Sequence, residues 1–282
     1  MSNSDQHAFW NGDAGQTWAR GDARMAALLA PISEALLDHA NVGAARSVLD
    51  VGCGGGSGTF LLAQRLAPDA RVLAVDISTL LLDVAKESLQ RQEASGPSIR
   101  FVEADAAVHD FDGERFDLLF SRFGVMFFSD PTGAFAHMRS AMRSGARLAF
   151  CCWQALPQNP WTALPLQAAL RVLPPPPKPG PREPGPFAYA EAAYVRAILE
   201  DSGWVDVDIT PRELELFWPG DHLEDATRQL LNMGPVGRLL IPASDEERDA
   251  VYAEAVSILG EHYRDGGLRL SGATWLVTAR ND

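Results

Sequence analysis

The sequence predicts an α/β fold, a seven-stranded and mostly parallel sheet flanked by helices. Three observations predict it. Five short apolar runs alternate with stretches of helical period between residues 46 and 153. Those runs are apolar almost without interruption, the texture of strands covered on both faces, which is how parallel sheets are built. Two later stretches alternate polar and apolar residues one by one, as half-solvated strands do.

The elements follow in chain order. Residues 1–45 read as a helical arm or lid, with Asp13 capping a helix through Arg24 and Pro31 beginning a further turn toward His39. The five apolar runs are Ser47–Val51, Arg71–Asp76, Ile99–Glu103, Phe116–Phe120 and Ala146–Trp153. Between them lie the helical periods Thr59–Leu66, Ser78–Arg91 and Pro131–Arg143. Residues 46–156 are therefore the core of the sheet. Eleven of the nineteen prolines then fall between Pro157 and Pro186. Pro174–Pro177 has no amide donors and cannot be helix or central strand, so 157–187 reads as a proline-rich insertion at the surface. Residues 188–282 hold a helix about Tyr189–Asp201, a strand Val205–Phe217, helices Leu223–Met233 and Ser244–Tyr263, and a last strand Leu268–Ala279. Roughly fifty residues separate those two strands, long for a connection, so about 220–265 reads as a helical cap.

Charge and cysteine usage exclude several functions. The 282 residues carry 24 Lys+Arg against 37 Asp+Glu, a net −13. Only Lys86 and Lys178 are lysines, and no basic run exists. Binding a nucleic-acid backbone or an anionic membrane needs a basic face, so neither partner is expected. Residues 1–156 carry −5 and residues 157–282 carry −8, which also disfavours a highly anionic ligand. Cys53, Cys151 and Cys152 form no disulfide framework, and no Cys/His spacing resembles a metal site. The N-terminal residues have no signal-peptide pattern and no stretch reaches a membrane span. A soluble, cytoplasmic protein with a small-molecule partner is expected, its oligomeric state open.

The chemistry-bearing pattern begins at Val48-Leu-Asp-Val-Gly-Cys-Gly-Gly-Gly-Ser-Gly58. Glycines after a buried strand let the backbone turn sharply and approach a ligand. In an open parallel sheet ligands sit at the carboxyl ends of the strands. A dinucleotide fingerprint fails in register: its third glycine falls on Ser57 or Thr59, and no Gly-Lys pair exists for a phosphate loop. The pattern that fits is Asp-x-Gly-x-Gly-x-Gly, on Asp50, Gly52, Gly54 and Gly56. An acid just before the glycines repels a pyrophosphate and suits a cation. Asp76 ends the second run, where a carboxylate can accept from a ribose diol. Asp105 and Ala106 follow the third run, placed to pair with an exocyclic amine and a ring nitrogen. The fourth run leads into Ser-Arg-Phe-Gly-Val-Met-Phe-Phe128, a loop dense in aromatics.

Taken in order, Val48–Gly58, Val72–Ser78, Phe101–Ala106 and Phe116–Phe128 resemble the class I S-adenosylmethionine-dependent methyltransferases. The Ser121–Phe128 segment is similar to the ubiquinone/menaquinone-type C-methyltransferases and the small-molecule group around them, in which Phe9–Trp18 also recurs. The agreement covers residues 45–155, with weaker similarity across the arm and tail. The resemblance implies a Rossmann-like sheet with its last strand antiparallel, and S-adenosylmethionine as cofactor. Gly52, Cys53 and Gly54 would carry the methionyl portion, with Asp50 oriented toward its ammonium through water or backbone. Asp76 would hold the ribose, Ile77 would flank the adenine, and Asp105 and Ala106 would pair with it. Ser121 would meet the amino-acid end, and Trp10 and Trp18 would close over the cofactor. Arg122, Phe123, Phe127, Trp153 and Trp161 would face the substrate, although Arg122 also suits an ion pair with an acidic side chain. One departure stands out: Arg143-Ser-Gly-Ala-Arg147 replaces the usual Pro-Gly-Gly, with Gly145 expected to end the preceding helix.

No residue marks the acceptor atom as O, N or C, and none is singled out as a catalytic base. A flat aromatic or heterocyclic acceptor suits the Trp, Phe and Pro content. Two alternatives share the fold: a dinucleotide-dependent oxidoreductase, which fails the glycine register, and a non-catalytic ligand-binding protein. A nucleic-acid methyltransferase would need Asp/Asn-Pro-Pro-Tyr/Phe after the fourth strand, where Ser-Arg-Phe-Gly stands.

Overall fold

Apolar runs in this chain become strands where they can be covered on both faces, and the computed structural model shows how. It describes residues 3–92, 96–177, 180 and 182–282. The expected arm and proline-rich insertion each include positions outside that set: 1 and 2 in the first, 178, 179 and 181 in the second. The elements are helices α1 (Asn3–Asn11) and α2 (Asp13–Ala40), strand β1 (Ser47–Val51), α3 (Ser57–Arg65), β2 (Arg71–Asp76), α4 (Thr79–Gln90), β3 (Ser98–Glu103), β4 (Phe116–Arg122), α5 (Pro131–Ser140) and β5 (Met142–Trp153). Then come α6 (Pro160–Ala169), α7 (Ala192–Asp201), β6 (Val205–Pro219), α8 (Leu223–Leu231), α9 (Gly234–Leu240), α10 (Asp245–Leu259), β7 (Tyr263–Arg264) and β8 (Gly267–Arg280).

The sheet has the order β3-β2-β1-β4-β5-β8-β6, with β7 added beside β8. Strands β1 to β5 pair in parallel, and β8 runs antiparallel to β5. The parallel sheet with an antiparallel last strand is thus as expected, while the count is eight rather than seven. The added strand is a two-residue hairpin arm, Tyr263 and Arg264 opposite Leu268 and Gly267. Its turn is Asp265-Gly266, both at positive φ. Asp-Gly favours this tight hairpin turn, and it ends the last helix at Leu259 rather than Tyr263.

The chain divides into two units. The first comprises residues 1–153, 182–212 and 274–282; the second comprises 154–181 and 213–273. In the first, β1 is buried throughout, and Phe116, Phe120, Phe135, Phe150, Tyr189 and Trp204 fill the core. Helix α4 starts on Ser78, whose Oγ accepts from Leu81 N at 3.3 Å. Helix α5 starts on Asp130, which accepts from Gly133 N at 3.0 Å, with Pro131 in the first turn.

The arm differs from expectation. Asp13 is the first helical residue of α2 rather than its cap, which is Gly12. Pro31 lies inside an unbroken 28-residue helix. An interior proline costs about 3 kcal/mol. Leu28, Leu29, Ile32, Leu36 and Leu37 are all buried along this helix. At about 1.5–3 kcal/mol each, their burial outweighs that cost. Gly145 also differs: α5 ends at Ser140, and Gly145 sits inside β5 at positive φ, its N–H donating to Asn281 O at 2.8 Å. It takes up the irregularity by which the β4–β5 register shifts between Phe116 and Leu118.

In the second unit, α6 lies within the expected proline-rich insertion. Pro160 stands in its first turn, where a missing N–H costs nothing. Asn159, fully buried, holds the start: its Nδ2 donates to Gln154 O (3.1 Å) and Ala155 O (3.2 Å), and its Oδ1 accepts from Ala273 N (2.9 Å). Pro174–Pro177 is exposed, without regular structure. Helix α10 begins with a reciprocal Ser244–Glu247 capping box and buries Val251, Ala255 and Leu259. Among the described residues no helix is long and apolar enough to cross a membrane.

Candidate functional site

The glycine turn after β1 is fixed from below and left open above. Gly52 N and Cys53 N both donate to Val75 O, at 2.8 and 3.2 Å, so the turn hangs on the end of β2. Gly52 has φ +68, and a Cβ there would lie 2.5 Å from Gly124 Cα. The turns after β1 and β4 therefore touch backbone to backbone. Ser121 locks them together: its buried Oγ donates to Val51 O at 2.8 Å and accepts from Gly124 N at 3.1 Å. Gly54 is the open position. It has φ +54, and its nearest neighbour to a Cβ is Leu81 at 3.9 Å.

Asp76 is pinned by backbone donors. Its Oδ2 accepts from Gly54 N at 2.8 Å and its Oδ1 from Ser78 N at 2.9 Å. Burial pushes its carboxyl up, and these backbone bonds oppose the shift. A carboxylate offers about four lone-pair directions, so these bonds leave room for a ligand. Asp50 lies beneath, 2 % exposed, with Oδ2 accepting from Thr59 Oγ1 at 2.6 Å. Burial raises its pKa to about 6, against the Thr59 bond and the Arg122 charge. Arg122 donates to Ser33 Oγ (3.1 Å) on α2 and Ser57 Oγ (2.9 Å) on α3, and Asp50 and Asp22 lie close enough to favour its charge. It thus ties the arm to the start of α3. Cys53 is buried and its thiol pushed well up by that burial, which makes it inert.

The arm reaches the same strand ends. Asn11 Nδ2 donates to Ile77 O at 2.9 Å, and its Oδ1 accepts from Thr79 N at 2.9 Å. Ser78 Oγ donates to Trp10 O at 2.7 Å. His7 Nε2 lies 3.6 Å from Glu103 Oε1 at the end of β3. Above these contacts Trp10 makes edge-to-face contacts with Trp18 (5.9 Å) and Phe127 (5.4 Å). After β3, Asp105 Oδ1 accepts from Ala107 N at 2.9 Å in a local turn that buries Ala106. After β4, Phe123 takes a left-handed backbone (φ +64) and stacks on Trp153, centroids 4.3 Å apart and planes 13° apart. A non-glycine residue held there costs about 1–3 kcal/mol, and such strain gathers at functional loops.

Of the residues singled out in the sequence, all but one lie in the first unit, around the carboxyl ends of β1 to β5. The exception is Trp161, which belongs to the second unit, is 8 % exposed and donates its indole N–H to Asn159 Oδ1 at 3.1 Å. Sequence reasoning missed Asn11, Ser78 as a clamp, and Asp22 on α2. Asp22 left a trace: Gly55, the glycine outside the repeating pattern, would overlap the Asp22 carboxylate if it carried a Cβ.

This arrangement places a carboxylate beside an open glycine, with Asp22 and Asp50 near the Arg122 guanidinium and Asp76 near Asp50. It favours a cation and repels a pyrophosphate. Residues 48–145 match the family described as methyltransferase domain. This segment is similar to a methyltransferase domain. Aklanonic acid methyltransferase DauC of Streptomyces is 28% identical to the chain over 120 residues, 43% of this chain and 54% of that protein. The ubiquinone/menaquinone biosynthesis C-methyltransferase UbiE of Hahella chejuensis is 30% identical over 144 residues, 48% of this chain and 57% of that protein. The chain spans about half the length of the curated relatives it matches. Among solved structures, YcgJ of Bacillus subtilis superposes with a TM-score of 0.55 at 14% identity, covering 88% of this chain and 97% of that one. Magnesium protoporphyrin IX methyltransferase of Synechocystis, with bound SAH, gives 0.55 at 15% identity over 100% of both. These likenesses show the fold. The matched segment contains the glycine turn, Asp50, Asp76, Asp105 and the aromatic loop, while the arm clamp and Trp153 lie outside it.

Proposed function

We propose that the chain is an S-adenosylmethionine-dependent methyltransferase acting on a small, flat, largely apolar acceptor. The observation that carries this reading is Asp76, fixed by Gly54 N and Ser78 N with acceptor capacity to spare. It would receive the ribose hydroxyls. Gly54, with no Cβ in the way, would let the methionyl chain lie on the turn, while Gly52, Cys53 and Ser121 hold that turn in shape. Ile77 would flank the adenine, and Asp105 with Ala106 would read its edge. The acidic excess around Arg122 fits a cofactor that is cationic overall.

When bound, S-adenosylmethionine supplies a methyl group on a sulfonium, already activated toward a nucleophile. The protein's part is then positioning and exclusion of water. Trp10, Trp18 and Phe127 supply the dry aromatic cover, and cation–π attraction at such faces is worth about 0.5–2 kcal/mol. The parallel Phe123–Trp153 pair supplies a flat face for the acceptor. The acidic surroundings favour a neutral or cationic acceptor over an anionic one; whether its reacting atom is O, N or C is decided by the acceptor itself.

Melting curves test this reading. Saturation with S-adenosylhomocysteine at 100 times its Kd adds about 2.7 kcal/mol of stability, a rise of several degrees, and NADH adds none. A shift with NADH and none with S-adenosylhomocysteine would assign the site to a dinucleotide instead.

A further inference from the structure

Three glycines of the turn are explained by conformation: Gly52, Gly54 and Gly56 all lie at positive φ. Gly55 is explained by space, because a Cβ there would overlap the Asp22 carboxylate. The arm helix α2 thus lays an acidic side chain directly against the turn that faces the ligand. Asp22 is partly exposed, whereas Asp50, the acid supplied by the glycine motif, is 2 % exposed with its Oδ2 held by Thr59. Asp50 is therefore covered, and Asp22 is the acid that remains within reach of a ligand on the loop. Burial pushes the Asp22 carboxyl up and the Arg122 charge only partly offsets this. Arg122 also serves Asp50 and gives hydrogen bonds to Ser33 and Ser57, so a second cation beside Asp22 would complete the balance.

We infer that Asp22 receives the α-ammonium of the cofactor's amino-acid end, an assignment that rests on the S-adenosylmethionine reading above. Its role is to set specificity: it separates ligands that carry the amino-acid end from nucleosides that lack it. A carboxylate from the arm also makes the arm part of the binding site, so that α2 reads the cofactor as well as covering it.

The test is calorimetric titration of the full chain with S-adenosylhomocysteine and with 5′-methylthioadenosine, which keeps the nucleoside and sulfur but has no amino-acid end. Asp22→Asn keeps the side-chain shape and removes the charge. It is expected to weaken S-adenosylhomocysteine about tenfold or more, the worth of one charge-assisted hydrogen bond, and to leave 5′-methylthioadenosine within about twofold. Asp22→Ala is expected to show the same selective loss, and melting curves without ligand check that both variants fold. Equal weakening of the two compounds would make Asp22 only an anchor of the arm, and unchanged S-adenosylhomocysteine binding would remove it from the site; either overturns the inference alone. A wild-type chain that binds neither compound would overturn the cofactor reading and this inference with it.

Discussion

The two halves of the candidate site are held in different ways. On the β1–β2 side, backbone hydrogen bonds fix the turn and its carboxylate: Val75 O holds Gly52 and Cys53, and Gly54 N and Ser78 N hold Asp76. On the β4–β5 side, beyond the Ser121 bonds, ring contacts hold the aromatic side chains, with Phe123 on Trp153 and Phe127 against Trp10. Backbone bonds permit one geometry. Ring contacts tolerate sliding and substitution of similar size. The first half thus suits a ligand that never changes, and the second suits an acceptor that varies between related enzymes.

Four substitutions sharpen or break that contrast. Asp76→Ala is expected to have the largest effect. It removes the ribose acceptor and leaves Gly54 N and Ser78 N unpaired, so S-adenosylhomocysteine affinity measured by calorimetry falls about 100-fold or more. A loss below tenfold would mean that the first half is not built around this carboxylate. Asp50→Asn tests the buried acid beneath it. Its folded pKa of about 6 lies above the ordinary 3.8 of an aspartate, so the fold favours the protonated form. Stability then falls as pH rises from about 4 to about 6, by on the order of 3 kcal/mol, and stays lower above that. Urea unfolding at several pH values should show this decline in the wild type and not in Asp50→Asn; identical pH profiles would contradict it.

Gly52→Ala comes next. A Cβ there meets Gly124 Cα in a left-handed backbone, so a loss of about 2–3 kcal/mol and a melting temperature lower by several degrees are expected. A melting temperature within one degree of wild type would show that the two turns can part freely. Trp153→Leu should have the smallest effect. Removing one ring of the stack costs about 1 kcal/mol, raising KM for the acceptor about fivefold while S-adenosylhomocysteine affinity stays unchanged. An equal loss for cofactor and acceptor would erase the division of labour between the halves.

The sequence made the first half readable because local chemistry dictates it. Glycines stand where φ is positive, as at Gly52 and Gly54, and Asp50 and Asp76 lie at the ends of their strands, so these residues gather at neighbouring strand ends. What it hid depends on distant partners. Asn11 clamps Ile77 and Thr79 across 66 and 68 residues, and Asp22 lies on Gly55. Neither pairing has a local pattern, and only the odd glycine marks the second. Pro31 misled for the same reason. Proline breaks helices by local rules, yet burial of Ile32 and Leu36 outweighs it in α2, and in α6 Pro160 sits where no N–H is needed. The Asp265-Gly266 hairpin was locally legible and shows that short strands hide in the tail of an apparent helix.

The account stands most directly on the pairing of Asp76 with a ribose beside Gly54. A crystal structure of the chain with S-adenosylhomocysteine measures it. The ribose hydroxyls should lie within hydrogen-bond distance of Asp76 Oδ1 and Oδ2, with the adenine beside Ile77 and Asp105. A ligand bound elsewhere, or one whose ribose faces away from Asp76, would contradict the account.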